Sequence, residues 1–400
     1  MHVPGWHDLT KDLQDDGTIQ MLGIVQEQHP DRARLFMQWK EMGWPVLVDS
    51  YNLLEITEVP VTLAIDENGI IRERLRSPQR SGGLSASFLE AVPVGAEAAG
   101  PAATAPDIEA LGRIAESQDS TEAWKTYADA LAVWGGPGGV DQAIAAYEEV
   151  ARRDPEDGVS RFRLGVAYRM RYDSEVRQDG DFQRAVSEWS RALAIDPNQY
   201  IWRRRIQQYG PRLDKPYPFY DWVPMAREEL IVRGEQPVSL VVEPRGSEFA
   251  SPQTRFTAAD TTADPDPLGR VLRDENQFIN VEVVSVPPRI APGDVARVHL
   301  VFRPIEETLA HWNNEAEEMV VWVDPPEDWA VDGRVFTHPI PPEVATKETR
   351  TIEVEVRAPD ASNGGGVSIP AYALYYVCED VNGVCMYRRQ DLELALQVSP

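Results

Sequence analysis

The spacing of apolar residues changes along the chain, and each change marks a different kind of secondary structure. Over residues 1–92, short apolar runs alternate with helical patterns in the order helix, strand, helix, strand, turn, strand, strand, helix. From residue 108 to 225 the apolar residues recur at helical spacing, and from residue 276 they alternate with polar residues as in β-strands. The pattern therefore predicts a multidomain protein with an α/β part, an all-α part and an all-β part.

Two stretches poor in apolar periodicity separate these parts. Residues 93–107 are rich in Ala, Gly and Pro and are predicted to be a flexible linker, and residues 226–275 are predicted to be an extended linker. The expected domains are therefore 1–92, 108–225 and 276–400. A chain of 400 residues is long enough for several such domains.

The α/β part ends in a hairpin that carries its most specific motif. Val59-Pro60 precedes a buried strand, Asp66 closes that strand, and Asn68-Gly69 forms the turn to the next one. This segment resembles a hairpin of the thioredoxin superfamily, in its redoxin branch. The resemblance implies a thioredoxin-like fold and a cis peptide bond before Pro60. In that family the proline packs against a redox-active Cys-x-x-Cys pair and binds extended substrate chain.

The cysteines that this resemblance implies are missing, because the two cysteines of the chain are Cys378 and Cys385. By the family pattern, the Cys-x-x-Cys motif and the first central strand would both fall at or before Met1. We therefore expect the full-length protein to carry them upstream, as cysteines or as a selenocysteine variant, and to be a thiol-disulfide oxidoreductase in that case. The alternative is a degenerate domain that never had a thiol pair.

The all-α part contains an internal repeat. The segments AIAAYEEVARRDP and AVSEWSRALAIDP align without gaps, so that Tyr147 matches Trp189. The pattern resembles the second helix of tetratricopeptide repeats, which implies helical repeats that dock a protein partner. We expect Trp124, Tyr147, Tyr168 and Trp189 to lie in the core between helices. Exposed Arg203, Arg204 and Arg205 are the predicted partner contacts, with a solvated helix face as the alternative.

The all-β part contains both cysteines in one predicted hairpin, YYVCEDVNGVCMY. If Asp380 to Gly383 span the turn, Cys378 and Cys385 lie opposite each other with Cβ atoms about 4.5–5.5 Å apart, which allows a disulfide. Such a disulfide is either a structural staple or an exchangeable redox pair. The short alternating strands around it predict an antiparallel sandwich of immunoglobulin-like type.

This hairpin is similar to the one in the immunoglobulin-like N-terminal domain of the periplasmic thiol:disulfide interchange protein, where two cysteines pass electrons. The resemblance implies that Cys378 and Cys385 are a redox pair. It also implies that the full-length protein works outside the cytosol, in the cell envelope or periplasm, where disulfides persist. The chain as written has no apolar signal segment. The competing hypothesis is a non-enzymatic scaffold with a structural disulfide.

Charge and composition argue against other classes of function. A net charge of −26 opposes binding to the phosphate backbone of nucleic acids, and no apolar run reaches the about 18 residues of a transmembrane helix. The six histidines show no metal-ligand spacing, and we expect each to be a surface or capping residue. Phosphate-binding and haem-attachment motifs are absent from the sequence, so no metal or cofactor is predicted. The sequence contains no motif that identifies a substrate, an electron donor or an oligomeric state.

Overall fold

The computed structural model describes residues 2–75, 84–89, 104–212, 220–244, 254, 256, 262–362, 364–379 and 383–400. The chain divides into two compact units. The first unit comprises residues 1–171, 191–205 and 220–243, and the second comprises residues 172–190, 206–219 and 244–400.

Where the structure describes it, the predicted all-α part, residues 108–225, consists of helices, because its apolar residues recur at helical spacing. The helices in chain order are α1 His2–Asp15, α2 Asp31–Trp39, α3 Ala86–Leu89, α4 Ile108–Ser117, α5 Thr121–Trp134, α6 Val140–Arg153, α7 Gly158–Tyr172, α8 Asp181–Ile195, α9 Tyr200–Gln207 and α10 Trp222–Val232. The helix α4 precedes the predicted repeats as an additional element. The assignment of these helices as tetratricopeptide repeats stays a prediction. Of the four aromatic residues expected in the core, Tyr147, Tyr168 and Trp189 are buried and Trp124 is half-buried. Within the described ranges, no helix combines the length and the apolarity that a membrane span requires.

Two small sheets lie in the first unit. Their strands are β1 Gly23–Val25, β2 Val46–Val48, β3 Thr62–Ile65 and β4 Ile71–Leu75. The strands β1 and β2 pair in parallel, and β3 and β4 form the predicted antiparallel hairpin. The Asp66 carboxylate accepts the backbone N–H of Ile70 at 2.9 Å in its turn, where Gly69 takes a φ of 79°. Across residues 2–75 no ladder joins the two sheets, so a single thioredoxin-like sheet stays a prediction.

Aromatic contacts join the N-terminal region to the helices of the first unit. Tyr51 stacks on Tyr147 of α6 with ring centres 6.3 Å apart. Trp39 of α2 stacks on Trp222 of α10 with ring centres 5.9 Å apart. Because large side chains from both regions pack against each other, the first two expected domains fall largely in one unit.

The helix α9 corrects the expectation of an exposed arginine cluster. Arg203 is exposed, but Arg205 is 1% exposed, because it lies on the same buried face of α9 as Ile201. The Arg205 guanidinium donates to the backbone carbonyls of Gln26 and Ser50 at 2.8 and 3.1 Å. The three consecutive arginines therefore do not form one exposed contact surface.

The second unit contains two antiparallel sheets. Their strands are β5 Ile279–Val286, β6 Val295–Pro304, β7 Ala310–Asn313, β8 Met319–Val323, β9 Ala330–Val331, β10 Val335–His338, β11 Ala345–Thr346, β12 Arg350–Arg357, β13 Gly365–Glu379 and β14 Cys385–Val398. One sheet has the order β10-β8-β13-β7-β11, with β14 also paired to β13, and the other has the order β5-β6-β12-β9. Alternate residues of both sheets, including Phe302, Trp312 and Tyr375, share one apolar core. The immunoglobulin-like type of this arrangement stays a prediction.

Part of the expected linker 226–275 is ordered structure. The helix α10 runs past residue 226 to Val232. Residues 262–274 belong to the second unit and pack on β13, where Asp266 donates its backbone N–H to the Tyr372 hydroxyl at 3.0 Å. Polar groups of this segment are satisfied by β13 and β14, which is why it does not behave as a solvated spacer. The other predicted linker lies mostly outside the described residues, which resume at residue 104.

Substituting Trp189→Ala should destabilise the protein by about 3–5 kcal/mol. The Trp189 side chain is fully buried in α8 and stacks on Tyr209 with ring centres 6.0 Å apart, so its truncation leaves a cavity. Trp134→Ala is the matched control, because Trp134 is 51% exposed. Denaturant unfolding of both variants measures the difference, and equal small losses would show that Trp189 is not a core residue.

Candidate functional site

The two cysteines form a disulfide at the end of the longest hairpin. The strands β13 and β14 pair through fourteen directly opposed residue pairs, from Gly365 opposite Val398 to Cys378 opposite Cys385. The Cα atoms of the cysteines are 4.0 Å apart, as expected for the closer, non-hydrogen-bonded kind of pair. The predicted opposition of the two cysteines and their disulfide are confirmed. Most of the predicted turn, residues 380–382, lies outside the described residues.

Strand alternation places the cystine on the side of β13 that faces away from the apolar core. Tyr375 and Val377 are fully buried in that core, so Tyr376 and Cys378 project from the opposite side. Residues directly opposite each other in β14 project from the same side. We name this side the outer face. Its residues on the two strands include Tyr372, Tyr376, Cys378, Cys385, Tyr387 and Arg389.

The outer face carries buried residues on β13 and an exposed cysteine on β14. Away from the turn, residues 262–274 contact the buried Tyr372, and the Arg389 guanidinium lies 3.7 Å from the centre of its ring. Next to the turn, Cys378 is 3% exposed and Cys385 is exposed. The cystine is therefore reached from solvent on the β14 side, next to the turn.

Tyr376 and Tyr387 form an aromatic pair next to the cystine. Their ring centres are 4.5 Å apart and their planes differ by 30°. They lie two residues from Cys378 and Cys385, which is about 6.6 Å along each strand. Burial raises the pKa of Tyr387, with the neighbouring Tyr376 as a smaller cause. At neutral pH its phenol is therefore uncharged and adds no negative charge beside the sulfur atoms.

The two bonded cysteines differ in exposure. Cys378 is 3% exposed, whereas Cys385 is an exposed residue. Disulfide exchange proceeds by attack of a thiolate on one of the two sulfur atoms, and the other sulfur leaves. If exchange takes place, the exposure of the two residues favours attack at Cys385 over attack at Cys378.

A histidine occupies the row of the cystine on the next strand. Cys378 lies directly opposite His311 of β7, so His311, Cys378 and Cys385 form one row across three strands. Directly opposed residues have Cβ atoms about 4.5–5.5 Å apart and share a face. His311 is half-buried within the sheet. His29 and His299 are 7% and 4% exposed, so the expectation that every histidine is a surface or capping residue is wrong for these two buried side chains.

Pro60, the remaining predicted site residue, belongs to the first unit. The Val59–Pro60 peptide bond is cis, and Pro60 is exposed. Both cysteines belong to the second unit. The first unit therefore places no thiol beside Pro60.

Metal binding finds no geometric support in the part of the chain that the structure describes. There, no group of three or more His, Cys, Asp and Glu side chains is arranged to hold a metal ion. The thioether of Met386 follows Cys385 in sequence, but strand alternation turns it to the other side, where it packs against the apolar core. Its sulfur is thereby separated from the cystine.

Comparison with known proteins identifies no family. No family model matches the chain, and no curated protein matches it. Among solved structures, AvmM, described as catalysing macrocyclization in alchivemycin A biosynthesis, is similar with 14% identity over 32% of this chain and 96% of its own, at a TM-score of 0.19. The Pseudomonas fluorescens alkylpurine DNA glycosylase AlkC, bound to DNA containing an abasic site analog, shows 13% identity over 78% of this chain and 85% of its own, at a TM-score of 0.15. At these TM-scores neither likeness supports a statement about fold or function.

Proposed function

We propose that this protein exchanges thiols and disulfides through the Cys378–Cys385 cystine of its second unit. The observation that carries the proposal is the unequal exposure of the two cysteine residues, with Cys385 exposed and Cys378 3% exposed. Exposed disulfides are the ones that exchange with external thiols. An exposed sulfur bonded to a buried one also gives the exchange a defined direction of attack.

The hairpin has little structural need of the disulfide. Fourteen opposed residue pairs already align β13 with β14, and the cystine joins residues whose sequence separation is only 7. Closing so short a loop contributes about 2.5 kcal/mol in the chain-entropy model of disulfide stabilisation, less than the bridging of long loops. Reduction should therefore leave the second unit folded, which an exchange protein requires.

The proposed reaction consists of two successive thiol attacks. A thiolate of the reducing partner attacks Sγ of Cys385, a new S–S bond forms there, and the Cys378–Cys385 bond breaks with its electron pair on Cys378. A second partner thiolate attacks the partner sulfur of this mixed disulfide and releases Cys385. Two electrons and two protons pass from two partner thiols to the two cysteines, and the partner leaves as a disulfide.

The first unit serves as a binding module in this proposal, since it contains no cysteine. Its resemblance to thioredoxin-like and tetratricopeptide-like domains supports binding of a protein partner rather than chemistry. A location in the cell envelope agrees with the proposal, because disulfides persist in compartments outside the cytosol.

A non-enzymatic scaffold with a structural disulfide is the second candidate. The burial of Cys378 favours it, since a sulfur enclosed by protein is protected from attack. The two candidates differ in whether the folded protein reacts with a thiol, or only the unfolded chain does.

We expect the folded protein to be reduced by dithiothreitol at a rate that rises in proportion to the thiol concentration. Direct attack on exposed Cys385 is bimolecular, so it gives this dependence without unfolding. Quenching with an alkylating agent and intact mass spectrometry measures the rate, and circular dichroism verifies that the fold is retained. A rate that levels off at the unfolding rate, whatever the thiol concentration, would support the scaffold instead.

The two single-cysteine variants should react unequally with oxidised glutathione. Cys378→Ser leaves the exposed Cys385 thiol, whereas Cys385→Ser leaves the thiol that is 3% exposed in the native protein. We expect mixed-disulfide formation, expressed per thiolate so that a difference in thiol pKa does not enter, to be at least about tenfold faster in Cys378→Ser, because access limits the exchange. The variants are matched, as each loses the same disulfide. Equal rates, or a faster Cys385→Ser variant, would contradict the assigned direction of attack.

A further inference from the structure

Cys378 lies between its disulfide partner and an imidazole. On one edge of β13 it faces Cys385 of β14, and on the other edge it faces His311 of β7. All three side chains project from the outer face, because directly opposed residues share a face. When the disulfide is attacked at Cys385, the sulfur that receives negative charge is the one next to His311.

A thiolate at Cys378 needs a stabilising positive charge or hydrogen-bond donor nearby. Cys378 is 3% exposed, and burial disfavours the charged form of an ionisable group. An imidazolium within about 4–6 Å favours the thiolate, as it does in other protein sites where a cysteine thiol is activated. Water does not reach a buried sulfur to stabilise its thiolate, so a neighbouring side chain has to stabilise it.

We propose that His311 stores and transfers the proton of Cys378 during disulfide exchange, an inference that rests on the proposed function. When Cys378 leaves the disulfide, protonated His311 stabilises the thiolate and then donates its proton to that sulfur. In the reverse direction neutral His311 takes the proton from the Cys378 thiol. The resulting thiolate attacks Sγ of Cys385 in the mixed disulfide, the disulfide of the cystine forms, and the partner leaves as a thiolate.

The neighbouring elements carry ionisable groups near this row. The register of β11 with β7, in which Thr346 is opposite Trp312, continues to the exposed Lys347 opposite His311. Glu379 of β13 is opposite Ala310, whose side chain is in the core. In the adjacent row burial raises the pKa of Tyr387, with Tyr376 and then Glu317 as smaller causes. His311 is the ionisable group that lies directly opposite Cys378 on β7.

The first test measures the pKa of the Cys378 thiol in Cys385→Ser, with and without His311→Gln. The ultraviolet absorbance of the thiolate reports its ionisation as the pH is changed and needs no access to the sulfur. We expect His311→Gln to raise this pKa by about 1 unit or more and to slow reduction of the intact cystine at neutral pH by at least about tenfold. His338→Gln on β10 is the control and should change neither quantity.

The second measurement uses the unmodified protein and does not depend on any variant folding. By linkage, a thiolate at Cys378 raises the pKa of His311, so an NMR titration of its imidazole should give a higher pKa in the reduced protein than in the oxidised one. Equal imidazole pKa values in both redox states, or a Cys378 pKa unchanged by His311→Gln, would overturn the role of His311. Either result would leave the proposed function standing, provided that dithiothreitol reduces the folded protein in a bimolecular reaction. If dithiothreitol does not reduce the folded protein in this way, the proposed function itself fails.

Discussion

The register of the β13–β14 hairpin is the constraint on which the second unit depends. Side chains alternate across a strand, so a slip of one residue would remove Tyr375 and Val377 from the core and turn Cys378 towards it. The other edge of β13 pairs with β7 and β8. The side from which each β13 residue projects therefore also decides which side chains of β7 and β8 it lies beside. Burial of alternate residues in the shared core holds this alignment without the disulfide.

Because the core enforces the register, the outer face of the same hairpin does not have to supply it. On that face Tyr372 and Leu374 belong to a second apolar cluster, and Cys385 is exposed next to the turn. The cystine joins a buried cysteine to an exposed one, with an aromatic pair in the adjacent row and His311 opposite Cys378. In the function that we propose, exchange takes place at this exposed part of the hairpin.

Features that depend on near neighbours in sequence could be predicted, and features that depend on distant strands could not. The cysteines are 7 positions apart across a short turn, so their opposition follows from hairpin geometry. The tyrosine pair was readable from the same pattern, as Tyr-x-Cys before the turn and Cys-x-Tyr after it. By contrast, His311 is more than 60 positions from Cys378, and no local rule selects β7 as the neighbour of β13. Burial of Arg205 likewise depends on backbone carbonyls far away in the chain, at Gln26 and Ser50.

The reduction potential of the Cys378–Cys385 pair tests the central claim most directly. Equilibration of the folded protein with mixtures of reduced and oxidised thiols, followed by alkylation and mass spectrometry, gives the potential. The account predicts a value above about −300 mV, within the range of about −120 to −270 mV found for exchange proteins. A value below about −300 mV would mark the cystine as a structural disulfide and contradict its role in thiol-disulfide exchange.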